Sequence, residues 1–220
     1  MQPEEREAGA VLDKANAALD SVYSATTPER LSAAYAAWAA TYDSETAALG
    51  YLLPFLIPAW VARHVPAGEG PLLDAGCGTG LTGPQLKALG YADIAGLDLS
   101  REMLDVAATR DAYGELKQAM LGGPLPWPDG HFRAFFSTGV FTMGHAPASG
   151  LHELVRITRQ GGHAIFTVRD QVFESGGFPA VFQELERAGK WRPVEESPWF
   201  RCYAVAEPDA LVRTFVFQVL

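Results

Sequence analysis

Cysteine is nearly absent: Cys77 and Cys202 are the only two in 220 residues. Two thiols so far apart exclude a disulfide framework and a cysteine-rich zinc site. Positive charge is also scarce. Lys and Arg number 17 against 26 Asp and Glu, a net charge of −9, and no basic run exceeds a pair. Such a chain repels a polyanion on average, so nucleic acid is not expected as a partner. Long apolar runs are missing too. The longest, residues 47–62, falls short of the ~18–20 residues of a membrane span and contains Pro54 and Pro58. The opening MQPEEREAGA has acids where a secretory leader has basic and then apolar residues. These absences predict a soluble, cytoplasmic protein without stable membrane association. The apolar segment 51–61 reads as a helix buried beside a sheet. The 48% apolar and 20% charged composition is that of an ordinary globular chain, long enough for one large domain or a domain with a terminal extension.

Residues 1–66 read as an Ala-rich helical extension, and 67–220 as the main domain. Thr26 and Glu29 have capping-box spacing, with Pro28 suited to the first helical turn. Leu31, Ala34, Tyr35, Trp38 and Tyr42 then fall on one helical stripe. A second helix is predicted over about 45–63, bending at its prolines, and 66–71 reads as a linker. Beyond it the pattern alternates. Strands are predicted over 71–75, 94–97, 115–120, 131–138 and 163–168, and within 191–205 and 212–220. Helices are predicted over 81–89, 101–110 (N-capped by Ser100), 149–159 (ended by Gly161 and Gly162) and 178–188. This order implies an α/β fold: a seven-stranded, mostly parallel, Rossmann-like sheet with helices on both faces, its last strand antiparallel. Ligands bind such sheets beyond the carboxyl ends of the strands.

The most informative stretch is Leu72-Leu73-Asp74-Ala75-Gly76-Cys77-Gly78-Thr79-Gly80. A buried strand runs into a turn whose glycines permit positive φ and close approach of a ligand to the backbone. Gly78-Thr79-Gly80-Leu81-Thr82-Gly83, with Asp98 twenty residues after Gly78, also spells the nicotinamide dinucleotide fingerprint. Electrostatics argue against that cofactor. Asp74, just before the turn, opposes a pyrophosphate and attracts a cation such as a sulfonium or an ammonium. Asp98, at the end of the second strand, is placed to accept ribose hydroxyls.

Asp74–Gly80, then Gly96-Leu97-Asp98-Leu99-Ser100, then Met103-Leu104, resemble the first motifs of class I S-adenosylmethionine-dependent methyltransferases. Leu125–Phe132 and Leu151–Gly162 resemble further motifs in the same order. Tyr35–Asp43 is similar to the N-terminal helix of the methyltransferase-like proteins named after the Williams–Beuren syndrome region. The resemblance implies S-adenosylmethionine as cofactor, with S-adenosylhomocysteine as product. It implies cofactor contacts at Tyr42, Asp74, Gly76, Cys77, Gly78, Thr79, Gly80, Asp98, Leu99, Met103 and Thr138. Two departures stand out. The acid that often contacts adenine is replaced by Met120 and Leu121, so adenine is expected to rest on apolar packing there. The family's Phe-Asp at the fourth strand is Phe132-Arg133 here.

Methyl transfer from a sulfonium needs alignment and exclusion of water, with a base only if the acceptor loses a proton. His145, in the loop after the fourth strand, is the candidate base, and Tyr35 a candidate catalytic partner. Trp38 and Arg169 are candidate substrate contacts, with Asp170 beside the latter. His152-Glu153 lacks the second histidine of a zinc-protease motif, and no metal site is predicted. Ser137-Thr138-Gly139-Val140 stands where adenine and glutamine methyltransferases carry Asn/Asp-Pro-Pro-Tyr, which points to a small-molecule acceptor. The alternatives are a cofactor-binding regulatory or partner protein without its own catalysis, and a nicotinamide-dependent oxidoreductase. The N-terminal helices are expected to act as a lid.

Overall fold

Four helices precede the sheet: α1 (Pro3–Tyr23), α2 (Pro28–Trp38), α3 (Tyr42–Leu49) and α4 (Leu53–His64). The computed structural model describes residues 3–220, with side chains from residue 9 onward, so Met1 and Gln2 lie outside it. Pro28 sets the start of α2. It has no N–H to leave unpaired at the first helical position, which makes Thr27 the N-cap; its hydroxyl accepts from Arg30 N at 3.3 Å. The cap is thus one residue later than expected, and the expected Thr26–Glu29 capping box does not form, because the position three residues after Thr27 is Arg30. The helix expected over 45–63 is broken, and at Gly50 rather than at a proline. Gly50 ends α3 with φ of 70°, and a Cβ there would meet Ala204 Cβ at 2.9 Å. Pro54 then falls in the first turn of α4, where its missing N–H costs nothing.

The chain continues as β1 (Leu72–Ala75), α5 (Gly83–Ala88), β2 (Ile94–Asp98), α6 (Arg101–Ala108), β3 (Glu115–Gln118), β4 (Phe132–Phe141), α7 (Gly150–Ile157) and β5 (Thr158–Arg169). It ends with α8 (Asp170–Phe173), α9 (Phe178–Arg187), β6 (Trp191–Glu196), β7 (Phe200–Arg201) and β8 (Leu211–Val219). The sheet order is β3-β2-β1-β4-β5-β8-β6, with the two-residue β7 also pairing β8. Strands β1 to β5 pair in parallel, and β8 runs antiparallel to β5 and β6. This is the Rossmann-like sheet expected from the sequence. The chain winds from β1 to β2 on one side and to β4 on the other, so a crevice opens above the end of β1.

Three boundaries moved, each for a local reason. Helix α7 stops at Ile157, because Thr158 is already extended and pairs with Phe132; Gly161 and Gly162 lie inside β5, where Gly161 (φ 76°) sits at a register slip. Strand β4 runs past Thr138 to Phe141 through an irregularity after Ser137, which carries Thr138 and Gly139 to the crevice. The single strand expected within 191–205 is two, β6 and β7. Arg133, where the family pattern has Asp, pairs with Glu69 of the 66–71 linker and donates to Gly161 O at 2.9 Å.

Burial follows the layers. One apolar cluster packs α7 and α9 on the sheet around Phe166 and Trp191; another packs Ile57 and Val61 of α4 against Leu72 and Ile165. A third joins α1, α2 and α3 (Leu19, Trp38, Leu49) to Cys202, Tyr203 and Val212 near the C-terminus. Burying side chains of this size contributes ~1.5–3 kcal/mol each. Segment 51–61 thus has a buried face, with Phe55 and Leu56 turned outward. No helix among the described residues is long and apolar enough to cross a membrane.

Candidate functional site

A cavity of about 770 Å³ lies over the carboxyl ends of β1, β2 and β4. Its floor is backbone. Gly76 takes φ of 83° beneath Val140, where a Cβ would collide with the valine side chain. Gly78 takes φ of 54°, and a Cβ there would meet no atom within 4 Å. That glycine leaves open a cradle that any other residue would begin to fill. Asp98 stands at the wall. Its Oδ2 accepts from Gly78 N at 2.8 Å and its Oδ1 from Ser100 N at 2.9 Å. Each oxygen keeps a further lone pair for a ligand donor. Burial raises the Asp98 carboxyl above the usual range, and the backbone amides of Ser100 and Gly78 oppose that shift. Ser100 itself caps α6, accepting from Met103 N at 3.2 Å. Leu99, Met103, Met120, Leu121 and Thr138 complete this end of the lining.

Four residues of the glycine turn expected to contact the cofactor do not line the cavity. Asp74 is buried beneath the turn and accepts from the Tyr113 hydroxyl at 2.7 Å. Burial pushes its carboxyl up to about 7, against the pull of the Tyr113 hydrogen bond. Cys77 is buried against Gly96. The Thr79 hydroxyl donates to Asp43 Oδ1 at 2.6 Å. Gly80 makes room for Tyr113, whose Cε2 would lie 2.8 Å from a Cβ there. These residues shape the turn from below. Asp43 also pairs with Arg110, whose Nε donates to Thr79 O at 2.5 Å, so α3 and the end of α6 are tied across the turn.

The opposite wall is aromatic. Tyr23, Tyr35 and Tyr42 come from α1, α2 and α3, and Tyr51 from the following link. The sequence stripe through Tyr35, Trp38 and Tyr42 is real in space, although the helix ends at Trp38. The Tyr35 and Trp38 rings stack at 6.3 Å, and Trp38 meets Tyr42 edge-on at 4.8 Å. Trp38 faces away from the large cavity, buried, and its indole donates to Glu45 at 2.7 Å. Across the cavity mouth, the Tyr35 oxygen lies 2.7 Å from His145 Nε2, and His145 Nδ1 lies 2.7 Å from Met143 O. A carbonyl can only accept, so Nδ1 carries the proton and Nε2 accepts from the Tyr35 hydroxyl. Burial lowers the His145 pKa and raises that of Tyr35 well above 10, so both are neutral at pH 7.

Arg169 ends β5 behind this wall. Its Nη1 donates to the Tyr23 oxygen at 2.6 Å and its Nη2 pairs with Glu207 at 3.2 Å. Burial works against the charge, but Tyr23 and Glu207 outweigh it. Asp170 begins α8 and, among the described residues, bonds locally, accepting from Gln171 N at 2.9 Å. His152 sits on the exposed face of α7, 3.2 Å from Glu184. Sequence reasoning missed Tyr23, Tyr51, Arg110, Tyr113, Thr142 and Glu207. Each takes its place through a partner far along the chain or through a cavity wall, and no local pattern marks any of them.

A volume of about 770 Å³, an open glycine cradle and a carboxylate with spare lone pairs at the end of β2 fit a nucleoside-bearing cofactor. Residues 73–166 match the family model described as a methyltransferase domain. The chain therefore carries a class I S-adenosylmethionine-dependent methyltransferase domain.

Among particular proteins, it is 34% identical over 166 residues to methyltransferase-like protein 27 of Homo sapiens, covering 71% of this chain and 66% of that one. It is 33% identical over 105 residues to a probable 18S rRNA (guanine-N(7))-methyltransferase of Dictyostelium discoideum, covering 43% and 36%. The chain thus spans between about a third and two thirds of these relatives' lengths. In fold it resembles the [4+2]-cyclase SpnF, with a TM-score of 0.69 and 16% identity over 89% of this chain and 97% of that one.

Proposed function

We propose that this protein transfers a methyl group from S-adenosylmethionine to a small organic acceptor. The observation that carries the reading is one cavity with the Asp98 carboxylate at one end and the Tyr35–His145 pair at the other. When bound, the cofactor supplies a methyl group on a positively charged sulfur. Asp98 would hold its ribose, Met120 and Leu121 its adenine, and Tyr42 would cover it. Gly76 and Gly78 would let it lie close to the backbone. Asp74, Cys77, Thr79 and Gly80 hold the turn in shape. The aromatic wall excludes water and orients the acceptor.

His145 Nε2 is the base in this reading. An acceptor hydroxyl bonded to the Tyr35 oxygen passes its proton there, and the Tyr35 proton moves to Nε2. Tyr35 thereby stays neutral, as its burial demands, and His145 ends as the imidazolium. The net charge of −9 and the enclosing wall favour a small molecule over an RNA, although one relative is named for 18S rRNA. The segment Tyr35–Asp43 supports placing the protein with the Williams–Beuren-type methyltransferase-like proteins, and segment 1–66 as the cover of the site. Two free, buried thiols suit a reducing, cytoplasmic setting.

Calorimetry tests the cofactor: S-adenosylmethionine and S-adenosylhomocysteine should bind and NAD should not, and micromolar NAD binding without either sulfur ligand would reject the reading. Methyl transfer from labelled cofactor to a small-metabolite library, run beside 18S rRNA, tests the acceptor.

A further inference from the structure

Behind the aromatic wall lies a second chamber of about 40 Å³, at the carboxyl ends of β4 and β5. It abuts the large cavity: Tyr23, Tyr35, Tyr42, Tyr51 and Gly139 line both. Two polar groups of its lining are buried and have no hydrogen-bond partner among the described residues, Arg169 Nε and Thr142 Oγ1. Arg169 is 7% exposed and Thr142 9%. The rest of the guanidinium is engaged, with Nη1 on Tyr23 and Nη2 on Glu207.

Buried polar atoms in folded proteins are nearly always paired, and a charged donor left unpaired is the most costly case. One charged donor, Arg169 Nε–H, and one neutral hydroxyl that can donate, Thr142, both unpaired in the lining of one chamber, point to a missing acceptor atom. Glu207 already balances the Arg169 charge, so what is missing is an oxygen rather than necessarily a second counter-ion. The volume admits a functional group of a few atoms, not a ring. The chamber shares Tyr35 with the large cavity and lies over β4 and β5, with β1 standing between them and β2, which carries Asp98; that is the side left for the molecule that receives the methyl group.

We propose that this chamber takes a carbonyl-type oxygen of the methyl acceptor, held by Arg169 Nε–H and the Thr142 hydroxyl. The rest of the acceptor lies in the large cavity against the aromatic wall, with its reacting hydroxyl at Tyr35. The acceptor class is thus a small, flat molecule bearing both a hydroxyl and a ketone, ester, amide or carboxylate. This inference rests on the methyltransferase reading.

The test uses the full chain saturated with S-adenosylhomocysteine and three probes of one shape: 4-hydroxyacetophenone, 4-hydroxybenzoate and 4-ethylphenol. By calorimetry, at least one carbonyl probe should bind tenfold or more tightly than 4-ethylphenol, and which one does so separates a neutral from a charged oxygen. Thr142→Val and Arg169→Lys should each reduce that preference to threefold or less. Because the Thr142 hydroxyl has no partner to lose, Thr142→Val should leave the thermal midpoint unchanged or raised, which separates lost recognition from misfolding. Equal binding of the three probes by the wild type, absence of carbonyl-probe binding, or a preference that survives Thr142→Val would overturn the proposal and assign the chamber to ordered water. Those results leave the cofactor reading standing. Failure of S-adenosylhomocysteine itself to bind would overturn the reading underneath.

Discussion

The two ends of the large cavity are built by different means. At the glycine end, Asp98 takes its shape from backbone amides within 20 residues of it, those of Gly78 and Ser100. At the aromatic end, Tyr35 meets His145 110 residues away, and Arg169 meets Tyr23 146 residues away, all through side chains. A site made from backbone needs only the right turn, so the same motif serves many proteins that share one cofactor. A site made from distant side chains is specific to one chain, and that is where a particular acceptor can be selected.

The sharpest way to break this division is at Asp98. Asp98→Ala should weaken S-adenosylhomocysteine binding by about 2–4 kcal/mol, since it removes a charged acceptor for two ribose hydroxyls. Calorimetry reads the loss, and an affinity within twofold of wild type would make Asp98 a support for the turn and α6 only.

Asp74 sharpens the same comparison from beneath the turn. The folded chain holds its proton up to about pH 7, whereas the unfolded chain releases it near pH 4. The stability contributed by that proton is full below about pH 4 and is lost as pH rises towards 7. Asp74→Asn should therefore stabilise the fold by about 1–3 kcal/mol at pH 8, and much less at pH 4, in urea unfolding. Equal effects at the two pH values would mean that the site tolerates the ionised carboxylate.

Tyr35→Phe addresses the other end. It should cost about 0.5–1.5 kcal/mol of stability by removing the bond to His145. Cofactor affinity should stay within threefold, while methyl transfer falls and its acid limb moves up towards the ordinary imidazole range. The wild-type limb should lie below 6.5, because burial holds the His145 pKa down. A limb unmoved by Tyr35→Phe would remove His145 from the proton path.

The smallest effect concerns the cover. S-adenosylhomocysteine should slow amide exchange in α2 and α3 while leaving β1 and β2 unchanged. Equal protection of α2 with and without the ligand would show that the aromatic wall does not open.

What could be read from the sequence follows the same line. The alternation of strands and helices, the glycine turn, the place of Asp98 at the end of the second strand and the Ser100 cap were legible, because each depends on residues close together in the chain. The order of the strands in the sheet is set instead by pairing between distant segments. The aromatic stripe was legible too, although its helix ends at Trp38. The position of Asp74 was not: its place between charge at a ligand and charge beneath a turn depends on Tyr113, 39 residues on. The Gly161-Gly162 pair was misplaced because two glycines end a helix or slip a strand with equal ease, and pairing of Thr158 with Phe132 decided between them. Thr142 and Glu207 carried no sequence signal, since a hydroxyl or a carboxylate in a loop is ordinary until its surroundings are known.

The apolar cluster joining Leu19, Trp38 and Leu49 to Cys202, Tyr203 and Val212 bears on how the gene can be cut. The stretch that matches the methyltransferase-domain family, residues 73–166, holds neither half of that cluster. A recombinant fragment trimmed to the recognisable motifs, or one starting at the linker, would leave half of a hydrophobic core facing solvent. The recognisable part of this chain is not a module that can be grafted, and expression from residue 67 onward should yield aggregate rather than a smaller enzyme.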